Sequence, residues 1–394
     1  MPADAPIGPP GLPPRLTRRV VEVARREWPN ARPGLERAVE GFLADNGVAV
    51  GDLSAGRPVY RPRPGAPVGA ALLLSGELPA GARPRRSSAS PAARVPAAVA
   101  VVYAEQQQPV AAAPAAAGIG RWRGSWTDDE HAAAVAVVRE AIARGDVYQA
   151  NVVAHRSAAF TGDPAAVSAL LGAVRRTPYS GSLSGDGWSV HSASPECLLE
   201  VTSGRVLTRP IKGTAPRGAD TDADAAARAE LLASGKDRAE HVMIVDLERN
   251  DLARVCRTGS VTVPSLYDVR PLAGVWHAES TVVGDLRSGV GLADLLAATF
   301  PGGSVTGAPK IAAIDLVDRI EPVGRGPSMG ALGWIDADGT VRLGLTIRTF
   351  AVCDGEIHLW TGGGITWGSE PAAEVAEAHA KAAPLLGALA PLGG

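Results

Sequence analysis

Basic excess is missing from this chain: 39 Lys plus Arg stand against 41 Asp plus Glu, a formal net charge of −2. Nothing in that balance would hold a phosphate backbone, so nucleic acid is not an expected partner. Cysteine is scarce too. Cys197, Cys256 and Cys353 are odd in number and show no C-x-x-C spacing, which fits a reducing compartment better than a disulfide scaffold. The seven histidines form no H-E-x-x-H and follow no C-x-x-C, which argues against zinc. No stretch reaches the ~18 uncharged apolar residues that cross a bilayer, and Met1 to Leu16 are rich in Pro and Gly without an apolar core, so a membrane span and an export signal are both unexpected. The cytoplasm is the expected location. No G-x-G-x-x-G follows a strand pattern, which leaves a dinucleotide fold unsupported, and no fixed period points to a solenoid or propeller.

What is present is a chain of 394 residues, 46% hydrophobic, enough for one large domain or two ordinary ones. Up to about Gly124 the text is poor in pattern: Pro/Gly/Ala/Arg runs such as Pro79 to Pro84 and Ala111 to Ala117 read as loops. Weak strands are expected at Ala70 to Leu74 and Ala97 to Tyr103, a helix at Leu35 to Asn46, and otherwise irregular, partly mobile structure. From Thr127 the signals sharpen, because Thr127 and Glu130 form a capping box ahead of a Val/Ile-periodic helix that Gly145 can close.

Further strands are expected at Tyr148 to His155, Leu183 to Ala193, Cys197 to Thr202, Val206 to Arg209, Ser260 to Val263, Val275 to Val283, Gly330 to Ile335, Val341 to Phe350 and Glu356 to Thr361. Helices are expected at Ala165 to Arg175, Ala223 to Ser234, Asp237 to Val255, Leu292 to Thr299, Pro309 to Ile320 and Pro371 to Ala388. Hairpin-like strand runs broken by helices argue for α+β with antiparallel sheets, not a doubly wound parallel sheet.

Several residues could carry chemistry. Asp237 and Glu240 are spaced i, i+3 on one expected helix, and Glu374 and Glu377 on another, so each pair presents two carboxylates on one side. Oxygen donors without histidine or cysteine suit a hard cation such as Mg²⁺; by spacing alone each pair reads equally as a solvated helix face. Glu196 lies in Ser-Ala-Ser-Pro-Glu between two apolar strand segments. Proline fixes the direction of the chain there, and a carboxyl drawn out of water has a raised pKa and can act as a general acid; the plainer alternative is a turn glutamate. Lys212, in Arg-Pro-Ile-Lys-Gly-Thr, would be a nucleophile only as the neutral amine, and is otherwise an ordinary surface lysine.

The run F-P-G-G-S-V-T-G-A-P-K, Phe300 to Lys310, looks like a phosphate loop but lacks the G-K-[ST] of a Walker motif. With Pro309 in the first turn of a helix, Ser304 to Ala308 could offer backbone N–H groups and Thr306 to an anion. Gly362, Gly363 and Gly364 would let a ligand touch the backbone; a tight turn explains either segment as well. Arg348 could grip a carboxylate in bidentate fashion or form a structural salt bridge, and a lone His277 is ordinarily structural.

Together these segments resemble the chorismate-utilising enzymes, and within them the aminodeoxychorismate synthase component I branch. The likeness runs in order from about Gly145 to Leu386, through D-V-Y-Q-A-N, S-P-E, P-I-K-G-T, K-D-R-A-E-H-V-M-I-V-D-L-E-R-N-D, F-P-G-G-S-V-T-G-A-P-K, T-I-R-T and G-G-G-I. It implies an α+β fold of the anthranilate synthase component I kind, two intertwined α/β subdomains with mainly antiparallel sheets packed together and helices outside. Residues 126–390 would be the chorismate-binding catalytic domain, and 1–125 a divergent region contributing to the same fold, with its first ~15 residues disordered.

The resemblance further implies Mg²⁺ at Glu240 and Glu377, with Asp237 and Glu374 close behind. It implies substrate contacts from Thr306, Arg348, Gly362, Gly363, Gly364, Lys381 and Thr214, with His277 lining the site. Anthranilate synthases resemble P-I-K-G-T with alanine in place of the lysine and aminate carbon 2; isochorismate and salicylate synthases use water. Lys212 therefore implies attack at carbon 2, Glu196 protonates the departing 4-hydroxyl, and ammonia adds at carbon 4. The family's E-Y-x-E-T reads here Glu374-Val375-Ala376-Glu377-Ala378, which keeps the carboxylates. No G-x-C-x-G glutaminase signature surrounds any cysteine, so a separate glutamine amidotransferase subunit is the expected ammonia source. A catalytically silent chorismate-binding or regulatory relative would be expected to lack one of Lys212, Glu196 or the metal carboxylates.

Overall fold

The computed structural model describes residues 20–55, 65–77, 88–105, 116–174, 177–272 and 274–393. In chain order the elements are β1 (Val20–Trp28), α1 (Leu35–Asp45), β2 (Pro67–Leu74), β3 (Ala98–Glu105), β4 (Ala117–Ile119), β5 (Arg123–Gly124), α2 (Asp128–Ala143), β6 (Gln149–Gly162) and α3 (Ala165–Val174). There follow β7 (Tyr179–Gly185), β8 (Trp188–Ser194), β9 (Cys197–Thr202), β10 (Arg205–Arg209), β11 (Ile211–Pro216), α4 (Thr221–Ala233), α5 (Gly235–Ala253), β12 (Thr262–Leu272) and β13 (Val275–Asp285). The last stretch holds α6 (Leu292–Thr299), a 3₁₀ turn at Gly303–Val305, β14 (Gly307–Ala308), α7 (Lys310–Ile320), β15 (Ala331–Asp336), β16 (Val341–Leu345), β17 (Thr349–Cys353), β18 (Glu356–Ile365) and α8 (Pro371–Ala388).

The strands build two sheets whose pairings are all antiparallel. One runs β1-β3-β2-β15-β16-β9-β10-β13-β11 with β12 also paired to β13; the other runs β14-β6-β18-β17-β8-β7 with β4 and β5 also paired to β6. They pack face to face over the main core, which joins Leu72, Leu332, Leu343 and Leu199 of the first sheet to Trp188, Val190 and Trp360 of the second. Side-chain alternation divides β17 cleanly: Ala351 and Cys353 enter that core, while Phe350 and Val352 point the other way, onto α3 and α8, as a period of two requires. Helices α2 and α7 cover the outer side of β6 through Val135, Val138, Val317 and Val152. The expected α+β class and antiparallel sheets are thus observed.

Several boundaries differ from expectation, each for a physical reason. The two weak strands expected before Gly124 are present as β2 and β3, with Ala98 to Val102 wholly buried, and they are joined by β1, which was not expected. β1 is exposed or half-buried up to Trp28 and carries four charges in nine residues, so it shows no clean alternation. Leu183 to Ala193 is not one strand but the hairpin of β7 and β8, turned at Gly187 with φ +73°. Val341 to Phe350 is broken at Arg348, whose φ of +50° ends β16 and starts β17 in the other sheet. The expected Ser260 to Val263 strand is the start of the much longer β12, which Pro264, Asp268 and Pro271 disguise. The strand expected to stop at Thr361 continues through the three glycines to Ile365. Pro309 precedes α7 as its N-cap instead of occupying its first turn. The Thr127–Glu130 capping box is present as expected. The expected disorder of the first ~15 residues falls outside the described residues. No helix among the described residues is long and apolar enough to cross a membrane.

Candidate active site

Two short crossovers between the sheets carry two of the expected residues. Ser194-Pro195-Glu196 joins β8 to β9, and Thr346-Ile347-Arg348 joins β16 to β17. They lie side by side and hold each other: Leu345 N–H donates to the Glu196 carbonyl at 3.1 Å, and Ala193 N–H to the Arg348 carbonyl at 3.1 Å. Glu196 is 4% exposed. Burial pushes its carboxyl up, opposed by the Ser304 hydroxyl, the Lys212 charge, the Ile211 N–H at 3.4 Å and Arg348. A carboxyl held this way is suited to give a proton and then to live as the anion.

Lys212 arrives by a bulge. Ile211 pairs with Glu279 and Thr214 with His277, so β11 spends one residue more than β13 between the two pairs, and Gly213 takes φ +87°. An extra residue with a glycine in a left-handed conformation turns the preceding side chain off the ladder. The Lys212 amine meets Glu240 Oε1 at 2.9 Å, and Gln149 Nε2 donates to the same oxygen at 2.9 Å. Burial opposes the Lys212 charge, but Glu240, then Glu196 and Glu377, outweigh it and hold the amine protonated more firmly than in water.

The glycines of β18 are the floor. A Cβ on Gly364 would stand 2.2 Å from Glu240 Oε1, 2.1 Å from Gln149 Nε2 and 2.8 Å from Lys212 Nζ. One on Gly363 would stand 3.4 Å from Glu374 Oε2, 3.5 Å from Glu377 Oε1 and 3.6 Å from Lys381 Nζ. Gly362 serves the sheet: a Cβ there would strike the Val152 carbonyl at 1.9 Å, and its own carbonyl accepts from Lys381 at 2.8 Å. Lys381 also pairs with Glu377 at 2.7 Å. Carboxylates from α5 and α8 thus converge on two consecutive residues without Cβ, with Glu240 answered by Lys212 and Glu377 by Lys381. Oxygen-only donors around a glycine cradle fit a hard divalent cation in their chemistry. Among the described residues no three metal-type side chains stand close enough to enclose an ion as they are.

The remaining expected residues divide. Thr306 is buried, its hydroxyl donating to the Gly302 carbonyl at 2.8 Å and its own carbonyl accepting from Asn151 N–H at 2.7 Å. His277 is buried and faces Thr214 across the ladder, but Thr214 is exposed. Asp237 lies in the first turn of α5, its N–H donating to the N-cap Ser234 and its carboxylate accepting from the Ser234 hydroxyl at 2.6 Å. Sequence reasoning did not single out Gln149, though it lies within D-V-Y-Q-A-N. It also passed over a carboxyl group behind Glu196: Glu248 accepts from Thr208 at 2.9 Å, and burial and then the Glu196 charge push it well above the usual range. Asp251 beside it pairs with Lys310 at 2.6 Å. Their only sequence signal was E-R-N-D at the end of the long motif.

Residues 79–387 match the family described as chorismate binding enzyme. The chain belongs to this family. Among relatives, it is 40% identical over 260 residues to aminodeoxychorismate synthase component 1 of Klebsiella aerogenes, covering 66% of this chain and 58% of that protein. It is 41% identical over 284 residues to anthranilate synthase component 1 of Streptomyces coelicolor, covering 72% of this chain and 56% of that one. The match therefore spans less than two thirds of each curated relative's length. The fold is that of anthranilate synthase component I from Streptococcus pneumoniae, with a TM-score of 0.75 at 22% identity over 95% of this chain and 93% of that one. It is shared by the menaquinone-specific isochorismate synthase from Escherichia coli, with a TM-score of 0.68 at 16% identity over 98% and 96% of the two chains. Proteins named for different activities thus share this architecture, and the choice among reactions rests on individual side chains.

Proposed function

We propose that this chain is an aminodeoxychorismate synthase component I, converting chorismate and ammonia to 4-amino-4-deoxychorismate. The observation that carries the reading is the Lys212 amine, delivered by the Gly213 bulge into contact with Glu240 beside the buried acid Glu196. The curated relative named for this reaction supports it; the relative named anthranilate synthase component 1 makes carbon 2 amination the outcome to exclude.

A Mg²⁺ ion held by Glu240 and Glu377, with Asp237 and Glu374 close behind, would supply positive charge for a substrate carboxylate. The rest of the reaction falls to side chains. Lys212 must first give up its proton, and the nearest carboxylate oxygen is Glu240 Oε1. Its amine then bonds to carbon 2 while the ring double bond shifts and the C4–O bond breaks; Glu196 gives its proton to the departing hydroxyl, and water leaves. Ammonia next bonds to carbon 4, the double bond returns, the Lys212 amine departs from carbon 2, and Glu196 takes a proton from the added nitrogen. Thr306 and Arg348 would orient the substrate, Lys381, Thr214 and His277 would line it, and Gly362 to Gly364 would let it approach the strand. A glutamine amidotransferase partner would supply the ammonia, as the "component 1" in the relatives' names suggests. The three free, buried thiols are compatible with the cytoplasm.

The purified chain should turn chorismate, Mg²⁺ and ammonium into a compound that aminodeoxychorismate lyase converts to 4-aminobenzoate, and omission of Mg²⁺ should abolish turnover. Lys212→Ala should lower 4-amination by about 10²-fold or more, the scale of a lost nucleophile. Anthranilate or salicylate as the product, or an unaffected Lys212→Ala, would sink the reading.

A further inference from the structure

Beneath Lys212, two strands bulge on opposite sides of β13, two residues apart. On β11 the extra residue stands opposite Ala278. On β12, Ser265 pairs with Thr281 and Asp268 with Glu279, so the extra residue stands opposite Ser280. Tyr267 occupies that second bulge with φ +55°, a conformation a bulky side chain adopts only when its surroundings impose it.

Ser280 is the point where the two bulges are tied. Its backbone N–H donates to the Pro210 carbonyl at 3.2 Å, at the start of P-I-K-G-T. Its hydroxyl accepts the Tyr267 N–H at 2.9 Å and also meets His241 Nε2. His241 is the next residue after Glu240, and its ring stands edge-on to Tyr267, with centroids 5.3 Å apart at 78°. The Tyr267 hydroxyl in turn donates to the Leu231 carbonyl at 3.0 Å, at the end of α4. Gly213 lies against this assembly: a Cβ there would be 3.0 Å from Leu231 Cδ1, 3.4 Å from the Tyr267 hydroxyl and 3.5 Å from Asp237 Cβ. Ser280 and His241 are wholly buried. One residue therefore connects three elements: the Ser280 N–H holds the segment bearing Lys212, and its hydroxyl holds the helix bearing Glu240 and the strained Tyr267, in a dry place where a polar network resists displacement.

We infer that Ser280, with Tyr267 and His241, is a positioning unit that fixes the Lys212 amine relative to Glu240 and carbon 2 of the substrate, and so sets the rate of the covalent step and not the affinity for substrate. The inference rests on the proposed role of Lys212. A displacement of about 1 Å at a reacting atom can cost about 10²-fold in rate, whereas the carboxylates of α8, Thr306 and Arg348 lie on other elements.

The test is a single turnover with chorismate and Mg²⁺ but without ammonia, followed by mass spectrometry of the Lys212 peptide for an adduct of chorismate less one water. Ser280→Ala should form the adduct about 10- to 100-fold more slowly than the wild type, the usual scale for loss of a supporting hydrogen bond. Steady-state kcat should fall in parallel, with KM for chorismate within about threefold. A folded Ser280→Ala with wild-type adduct rate, or with a raised KM and unchanged adduct rate, would overturn the inference. Failure of the underlying reading looks different: the wild type itself would form no adduct and Lys212→Ala would keep its activity. If Ser280→Ala does not fold, Tyr267→Phe removes only the bond to Leu231; an adduct rate about threefold slower supports the unit, and an unchanged rate overturns it.

Discussion

At the scale of single residues, what distinguishes this site is how closely unlike groups are allowed to approach. Glu240, Gln149 and Lys212 converge at Gly364, where no side chain intervenes. Gly364→Ala would place a methyl group 2.2 Å from Glu240 Oε1 and 2.8 Å from Lys212 Nζ, so those groups must part. The variant should lose activity by about 10²-fold, because the reacting amine is displaced. Gly368→Ala, where a Cβ meets nothing within 4 Å, should be near wild type in the same steady-state assay. Equal activity of Gly364→Ala and wild type would show that the contact at the glycine is dispensable. The importance of Gly362 to Gly364 was visible in the sequence as a run without Cβ, but its division of labour was not. That one glycine relieves the neighbouring strand and the next two receive carboxylates from different helices depends on which way each faces.

At the scale of elements, irregularities place the chemistry. The bulge at Lys212-Gly213 and the break at Arg348 each occur where a strand must re-aim a side chain or change sheets. Gly213→Ala should destabilise the protein by ~1–2 kcal/mol, since φ +87° disfavours any Cβ. The 3.0 Å approach to Leu231 adds to that cost. Thermal unfolding should show a lower melting temperature, and activity should fall further than unfolding accounts for, because the bulge carries Lys212. An unchanged melting temperature would mean that the strand can flatten without penalty. The helices were legible from capping residues and periodicity, α6 and α8 to the residue. β12 was not, because prolines and charges along a bulged strand at the sheet's margin mimic a loop.

For the whole molecule, packing between layers has removed many titratable groups from water. Burial pushes His131 and His191 down to about 4 and His155 to about 3, and it lowers His358. Such a ring refuses a proton that the unfolded chain accepts near pH 6.5, so its stabilising contribution is whole above that pH and is lost as the pH falls toward the folded value. The buried carboxyls Glu196, Glu248 and Asp251 and the half-buried Glu279, all raised by desolvation, act in the opposite sense, so the net slope mixes both. A single histidine can be isolated. His191 Nε2 meets the Ser189 hydroxyl at 2.8 Å and Nδ1 the Ser168 hydroxyl at 2.5 Å. His191→Gln should lose less stability than the wild type between pH 7 and pH 4.5, by up to roughly 3 kcal/mol. Melting curves at the two pH values decide it, and parallel slopes would mean that the ring takes up protons equally in both states.

The linear chain was enough to determine the α+β class, most helices, the residue types able to perform acid and nucleophilic chemistry, and the family resemblance. All of these depend on short-range pattern or on the order of motifs. Tertiary structure alone decided that Glu196 and Arg348 meet at neighbouring crossovers, that α5 and α8 face consecutive glycines, and that Gln149, Glu248 and Ser280 belong with them. Those pairs lie tens to hundreds of residues apart. Their meeting is fixed by strand register and sheet packing, which local periodicity does not encode.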